Sequence, residues 1–212
     1  MTLLVYTTVT GGYEQLGPQR RVDAGRETYI CFTDTVQGEV YPWHQIAPGR
    51  NYALDLRRAS RFFKMLGPST LERKFSTALY LDNSVELKAN PSELTERLLG
   101  GGDIGFMPHP RRRTVESEFF ACLSQKMDDR PTLRRQLAAY KRQDPEGLAL
   151  RPLWGGVFAW RLNSRTLRFM QEWMTQVSIF SARDQLSLHY ALRRTGLTPN
   201  VLDVSAHESR WH

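Results

Sequence analysis

The feature that most constrains the fold is an apolar run within residues 76–85 that ends in a carboxylate. Residues 78–81 are apolar or aromatic, include no glycine or proline, and are followed by Asp82. A continuous apolar run of this length is typical of a strand covered on both faces, as in a parallel sheet. Ligands of open α/β sheets bind beyond the carboxyl ends of the strands. The run therefore predicts that Asp82 lies at a ligand-binding edge of a sheet.

Two further oxygen donors, Asn83 and Ser84, follow this carboxylate. Hard oxygen ligands suit Mg²⁺ and Mn²⁺, so Asp82 and its neighbours are candidates to hold such an ion on a diphosphate. The alternative is structural, because Asp, Asn and Ser are also common turn formers. The tripeptide alone leaves both interpretations open.

The rest of the chain alternates between strand and helix patterns. Predicted strands, besides the central one, occupy residues 3–9, 28–33, 103–107 and 201–204, with a short extended piece at 41–46 and a strand-loop-strand unit at 148–162 that breaks at 154–156. Predicted helices occupy residues 55–66, 90–100, 114–127, 130–143, 164–177 and 181–194, and a turn is expected at 144–147. Such alternation predicts an α/β fold with a mostly parallel sheet. With no linker or repeat, residues 1–212 are expected to form a single domain.

Candidate ligand groups follow several of these strands. Glycines at 11 and 12 would let backbone approach a ligand closely, or simply form a turn. Asp34 is placed to accept hydrogen bonds from a ribose or a base, with an Asx-turn as the alternative. His109 is a candidate metal ligand, base or hydrogen-bond donor to a phosphate. The neighbouring residues 111–113 are all arginine and suit nucleic acid, a substrate phosphate or water.

Two helices add charged groups. Arg58, Arg61 and Lys64 recur every three residues and share one helix face, which suits either a phosphate clamp or a solvated surface. Asp184 and Gln185 begin the last predicted helix. They would offer a carboxylate and an amide to sugar hydroxyls. The alternative is structural: Asp184 would only interact favourably with the dipole at the start of the helix.

Composition narrows the class of protein and of partner. A hydrophobic content of 41% argues against disorder of the whole chain, and the net charge of +7 calls for a nucleotide diphosphate, a nucleic acid or an anionic membrane surface. No apolar run reaches the ~18 residues of a membrane span, and the N-terminal residues have no signal-peptide pattern. Cys31 and Cys122 occur in unrelated contexts, which indicates free thiols and a cytoplasmic location. Peripheral contact with a membrane stays open.

A series of motifs resembles a known family when taken in order. The motifs are Y-T-T-V-T-G-G-Y, C-F-T-D, R-x-x-R-F-F-K, Y-L-D-N-S-V, F-M-P-H-P-x-R, E-x-E-F-F-A-C and S-A-R-D-Q-L-S-L-x-Y. They resemble the glycosyltransferase-like family that includes the plant turgor-regulation-defect and mucilage-related proteins, over about Val5 to Tyr190. More distantly, Y-L-D and the late D-Q are similar to glycogenin-like GT-A glycosyltransferases.

The resemblance implies a GT-A-like three-layer α/β fold around a central, mostly parallel sheet. It implies an enzyme that transfers a sugar from a nucleotide-diphosphate sugar to a glycan or another hydroxyl acceptor. In that family pattern the nucleotide would be held by the group Thr7, Thr10, Gly11 and Asp34. Arg61 and Lys64 would lie near the diphosphate.

The same resemblance assigns the metal and the acceptor side. Asp82 corresponds to the first acid of the D-x-D metal motif, Ser84 stands where the second acid is found, and His207 is the candidate third ligand for Mn²⁺ or Mg²⁺. Asp184 and Gln185 match residues near the donor sugar and the acceptor.

The mechanism and two other classes of function stay open at this stage. Inverting transfer needs a base, for which Asp184 and His109 are candidates, whereas retaining transfer needs no dedicated base. A family member has been described as a ceramidase, so lipid amide hydrolysis is one alternative. A basic nucleic-acid-binding module built on residues 111–113 is the other, although no nucleic acid is expected as a partner of the transferase.

Overall fold

The strand order of the central sheet explains how the molecule forms a cleft. The computed structural model of the protein describes residues 3–12, 14–19, 27–47, 55–72 and 75–204. Within these residues one seven-stranded sheet has the order β3-β2-β1-β4-β6-β5-β7. The strands are β1 (Leu3–Val9), β2 (Glu27–Thr33), β3 (His44–Ile46), β4 (Thr77–Leu81), β5 (Ile104–Pro108), β6 (Leu153–Arg161) and β7 (Asn200–Val201).

Most neighbouring strands are parallel, as the alternation of elements predicts. β1 pairs in parallel with both β2 and β4, β2 pairs in parallel with β3, and β5 pairs in parallel with β7. β6 is antiparallel to both of its neighbours, β4 and β5. After β1 the chain builds outward through β2 and β3 and then returns to place β4 on the other side of β1. The sheet therefore has a topological switch point between β1 and β4, where ligands of open α/β sheets bind.

Seven α-helices accompany the sheet in the described part of the chain. They are α1 (Leu56–Leu66), α2 (Pro91–Leu99), α3 (Val115–Ser124), α4 (Arg130–Gln143), α5 (Pro145–Ala149), α6 (Ser164–Ile179) and α7 (Leu188–Thr195), and two short 3-10 turns cover Gly67–Thr70 and Asp184–Leu186. Several boundaries follow from capping chemistry. The side chain of Asp55 accepts the Arg58 N–H at the start of α1, and Asn90 accepts two N–H groups at the start of α2. None of the described helices is long and apolar enough to cross a bilayer.

The central strand β4 is buried along its whole length, which confirms that it is covered on both faces. Alternate side chains point to opposite faces of the sheet. Ala78 and Tyr80 join a core cluster that includes residues of α1 and α6, whereas Leu79 and Leu81 join a second cluster that includes residues of α2. Because β4 is held from both sides, the position of Asp82 at its end is fixed by the core.

A smaller cluster of the helices α3, α4, α5 and α7 supports the 3-10 turn at Asp184–Leu186. Leu186 belongs to this cluster together with Phe119, Tyr140 and Tyr190. The rings of Tyr140 and Tyr190 stack with centroids 4.2 Å apart. This packing anchors the turn that carries Asp184.

The prediction of a strand-loop-strand unit at 148–162 is wrong, because β6 is one strand that includes both Gly155 and Gly156. The Asp82 N–H donates to the Gly156 carbonyl at 2.7 Å, so pairing with the end of β4 continues at the glycines. The turn expected at 144–147 is also wrong. The short helix α5 forms there because the Asp144 side chain caps it by accepting the Gly147 N–H.

The predicted helix at 181–194 is divided. The 3-10 turn at Asp184–Leu186 precedes α7, so Ser181 does not cap it. Its hydroxyl donates to Asp128 at 2.6 Å and accepts the Arg183 N–H at 3.1 Å. Two further boundaries differ: α3 ends at Ser124, shortly before Lys126 with its positive φ of 54°, and the last strand is Asn200–Val201 instead of 201–204.

Candidate active site

A polar cleft of about 220 Å³ opens at the carboxyl ends of β1 and β4, against the first half of α1. This is the switch point of the sheet. The groups that line it include the hydroxyls of Thr8, Thr10 and Ser60, the guanidinium groups of Arg57 and Arg61, and the carboxylate of Asp82. The cleft therefore offers both hydrogen-bonding groups and positive charge to an anionic ligand.

Asp82 lies at the floor of this cleft, at the sheet edge that the apolar run predicts. Its side chain is 40% exposed and does not turn into the core. One carboxylate oxygen, Oδ1, accepts a hydrogen bond from the Tyr80 hydroxyl at 2.8 Å and lies 3.7 Å from Lys64 Nζ. The Val85 N–H donates to the Asp82 carbonyl at 2.9 Å. The segment is thus both a turn and part of the cleft, so the turn interpretation is confirmed and the metal interpretation stays a prediction.

Asn83 has a structural task in this turn. Its amide oxygen accepts the Gly17 N–H at 3.1 Å, and its amide nitrogen donates to the Gln15 carbonyl at 2.6 Å. These bonds fix the loop that forms one wall of the cleft. Ser84 is exposed and also lines the cleft.

Beneath the cleft lies a buried ion cluster formed by Arg61, Lys64 and Asp184. Lys64 Nζ is 2.7 Å from Asp184 Oδ2, and Arg61 Nε is 3.3 Å from Asp184 Oδ1. The Lys64 side chain is only 3% exposed. Its ammonium group also lies 4.7 Å from the centre of the Tyr80 ring, which is a cation–π contact.

The predicted cationic face of α1 is therefore divided in function. Arg61 and Lys64 belong to the ion cluster, and their place beside a diphosphate stays a prediction. Arg58 turns to the far end of α6, where its guanidinium donates to the Val177 and Phe180 carbonyls. Arg58 is thus a structural link between two helices.

The ion cluster sets the charge state of Asp184. Burial raises the pKa of this carboxyl group, but the positive charges of Arg61 and Lys64 outweigh burial and hold the pKa below its ordinary 3.8. The charge of Asp184 in turn raises the pKa of Arg61. Burial, with the nearby Asp82 charge, raises the pKa of the Tyr80 hydroxyl, so it stays protonated and can donate to Asp82. Asp184 is ionised at neutral pH and is a poor proton acceptor.

The residues expected to hold a nucleotide are partly gathered at the cleft. Thr10 lines it and donates to the Leu56 carbonyl at 3.0 Å. Asp34 accepts the Gly11 N–H at 2.8 Å and so holds the loop that follows β1. Thr7 is buried and does not line the cleft, whereas its neighbour Thr8 does, since successive side chains of a strand face opposite ways.

The residues expected on the acceptor side lie further apart. His109 follows β5, which is separated from β4 by β6, so two strand spacings, roughly 10 Å across the sheet, separate the strand that leads to His109 from the strand that leads to Asp82. Its Nδ1 accepts the N–H groups of Arg111 and Arg112 at 3.2 and 3.1 Å. Gln185 adjoins Asp184, and its Nε2 is buried without a hydrogen-bond partner. His207 lies outside the described residues.

Five residues of this site were missed by sequence reasoning: Thr8, Arg57, Ser60, Tyr80 and Gly155. A Cβ at Gly155 would lie 3.3 Å from Lys64 Nζ and 3.6 Å from Asp184 Oδ2. The absent side chain thus leaves room for the ion pair beside β6. The only sequence signal was the Gly155–Gly156 pair, which also suits a loop.

A scan against protein-family models gives no match for this chain, and a search of curated proteins also gives none. Function must therefore be inferred from the chemistry of the cleft.

Proposed function

We propose that this protein is a glycosyltransferase that takes its sugar from a nucleotide-diphosphate donor bound in the cleft. The observation that carries the proposal is the placement of Arg57 and Arg61, beside the hydroxyls of the cleft, at the switch point of the sheet. In open α/β sheets this crevice is where nucleotides bind. The motif resemblance described above is independent support.

The fold is compatible with this proposal. In the parallel order β3-β2-β1-β4 the direction of building reverses between β1 and β4, which is where ligands of open α/β sheets bind, and β6 enters the sheet in the opposite direction beyond it. We propose that the whole is a GT-A-like domain. Its donor site would use the first half of the chain, and its acceptor side would lie towards the 3-10 turn at Asp184–Leu186.

The charges suit the bond that must break. When a sugar leaves a nucleoside diphosphate, negative charge develops on the departing phosphate oxygen. Arg57 and Arg61 line the cleft and would stabilise that charge without reorganisation, because Arg61 is held by Asp184. The Thr8, Thr10 and Ser60 hydroxyls would orient the donor.

Asp184 is better suited to position cations than to act as a base. Its pKa is held low by Arg61 and Lys64, so it would accept a proton poorly from an acceptor hydroxyl. His109 stays a predicted base, and Gln185 a predicted contact of the donor or acceptor sugar. The acceptor is proposed to be a glycan or another hydroxyl compound.

Among the described residues, the donors expected for a Mg²⁺ or Mn²⁺ ion at Asp82 are already engaged in part. Oδ1 of this carboxylate already accepts a hydrogen bond from Tyr80, and the Asn83 oxygen is bonded to Gly17. Among the described residues no group of three His, Cys, Asp or Glu side chains is arranged to hold a metal ion. His207, the third expected ligand, lies outside them. No step of the proposed transfer is assigned to a metal.

The proposal is tested by thermal shift and calorimetry with a panel of uridine and guanosine diphospho-sugars, followed by an assay for release of the nucleoside diphosphate. One nucleotide class should stabilise the protein. Arg57→Ala should weaken its binding by about tenfold or more, the loss of a charge-assisted contact. Arg165→Ala is the control, because Arg165 is exposed like Arg57 but lies at the opposite edge of the sheet, where it pairs with Asp103.

The result that would refute the proposal is equally specific. It fails if no nucleotide binds, or if the two arginine variants bind the nucleotide equally. Salt-steep binding to RNA or DNA instead would indicate the nucleic-acid module, and release of a fatty acid from ceramide would indicate the amide hydrolase.

A further inference from the structure

The negative charges at the cleft floor are matched by positive charges of the protein itself. Asp82 and Asp184 provide two carboxylates, and Arg61 and Lys64 provide two cations within 3.7 Å of them. A divalent ion at such a site would be held by one or two carboxylates together with the phosphate oxygens. At this floor the neutralising cation is already part of the chain.

Lys64 is the residue that links the two carboxylates. Its Nζ is 2.7 Å from Asp184 and 3.7 Å from Asp82. Its position is well defined, because the Tyr80 ring covers the ammonium group and the Lys64 carbonyl accepts the Tyr6 hydroxyl at 2.6 Å. Gly155 leaves the space that the ammonium group needs.

The position of this ammonium group affects how an anion meets Asp82. Asp82 is 40% exposed at the floor of the cleft, so its charge would repel a diphosphate. In enzymes that use a metal, the ion lies between carboxylate and phosphate and removes this repulsion. Here Lys64 approaches the same carboxylate from beneath, on the protein side. The guanidinium groups of Arg57 and Arg61 then remain to contact the anion directly.

We propose that Lys64 serves as a built-in cation in place of a divalent metal, so that the cleft binds a nucleoside diphosphate in the absence of metal ions. The inference rests on the proposed function, since it concerns the same donor site. It changes the role of Asp82, which becomes a partner of Lys64 and Tyr80 instead of a metal ligand. It also gives the buried Lys64 side chain a functional role in addition to its packing.

The experiment measures binding of UDP and GDP by calorimetry, in a chelator and in Mn²⁺, for the wild type and three variants. Wild-type affinity should be the same within about twofold under both conditions, because no ion bridges Asp82 to the phosphates. Lys64→Met should bind roughly tenfold more weakly in chelator and should regain affinity in Mn²⁺, since Asp82 is then unneutralised. Lys141→Met is the matched control, because Lys141 forms an ion pair of the same length with Glu116 on the surface.

The third variant, Asp82→Asn, separates the two roles of this carboxylate and does not depend on whether Lys64→Met folds. A bridging metal requires the carboxylate, so a metal site predicts that Asp82→Asn loses binding. The built-in cation predicts the opposite, roughly fivefold tighter binding in chelator, because one negative charge is removed from the cleft.

The outcomes distinguish this inference from the proposed function. Binding of UDP or GDP that requires Mn²⁺, or that Asp82→Asn abolishes, overturns the built-in cation and leaves the transferase proposal standing. Binding of neither nucleotide under any condition overturns both. Equal binding in chelator and Mn²⁺, with tighter binding by Asp82→Asn, supports the inference.

Discussion

Breaking the ion pair between Lys64 and Asp184 should strongly destabilise the protein, because it leaves an uncompensated buried charge. We predict that Asp184→Asn lowers the free energy of unfolding by about 3 kcal/mol, the lower end of the range for breaking a buried pair. At the observed 2.7 Å, and with an effective dielectric constant of about 20, the attraction is about 6 kcal/mol before desolvation is subtracted. The lower end applies because Lys64 would still have Asp82 at 3.7 Å.

A double-mutant cycle isolates the pair from other effects of each substitution. Lys64→Met should also cost about 3 kcal/mol or more, because it leaves Asp184 buried with Arg61 as its remaining cationic partner in the cluster. The double variant should be less destabilised than the two singles together, with a coupling of at least about 2 kcal/mol. Urea unfolding followed by tryptophan fluorescence gives all four values.

The surface pair of Lys141 and Glu116 provides the control. Its atoms are also 2.7 Å apart, but the side chains are 52% and 37% exposed. Solvent screening should reduce the cost of Glu116→Gln to under about 1 kcal/mol. Equal costs for the buried and the surface pair, or additive single effects at Lys64 and Asp184, would refute the claim that burial makes this pair strong.

Two further predictions concern the surroundings of the site, and a third concerns His189 in α7. Gly155→Ala should destabilise the protein by about 1–3 kcal/mol and weaken nucleotide binding, because the new Cβ would lie 3.3 Å from Lys64 Nζ. Unchanged stability in urea unfolding and unchanged nucleotide affinity in calorimetry would contradict this prediction. Asp34→Ala should cost about 1 kcal/mol and weaken nucleotide binding, since it removes the 2.8 Å hydrogen bond from the Gly11 N–H; an unaltered titration would show that this loop does not contact the ligand. Burial lowers the pKa of His189 in the folded protein below its ordinary 6.5. As the pH falls, this side chain is therefore protonated in the unfolded chain before it is protonated in the folded protein. The free energy of unfolding should decline as the pH falls from 6.5 towards the pKa of the folded state. His189→Gln should flatten that decline in urea unfolding measured across this pH range, and an identical pH profile would count against it.

Local sequence signals predicted most helices and strands, because the start and the type of these elements depend on residues that are close in sequence. The apolar run at 78–81 predicted a buried strand, and the acid and amide at Asp55 and Asn90 marked the starts of two helices. The α4 boundaries match their prediction, with Pro131 in the first turn. In the same way, the three-residue spacing of Arg61 and Lys64 was enough to place them on one face.

Elements decided by distant partners were missed. Gly155 and Gly156 look like a break, yet β6 passes through them because its carbonyl at Gly156 accepts the Asp82 N–H. Ser181 looks like a helix cap, yet its hydroxyl is bonded to Asp128. A local pattern holds no information about a partner tens of residues away.

By itself the sequence determined the alternation of strands and helices and the acid that ends the central strand. It could not determine which side chains contact that acid. Only the packing of α1 against the sheet brings Lys64, 18 residues before Asp82, beneath its carboxylate, and only the turn before α7 brings Asp184 to the same ammonium group. The physical reason is that charge pairing depends on distance in space, which the sheet order and the helix layers set.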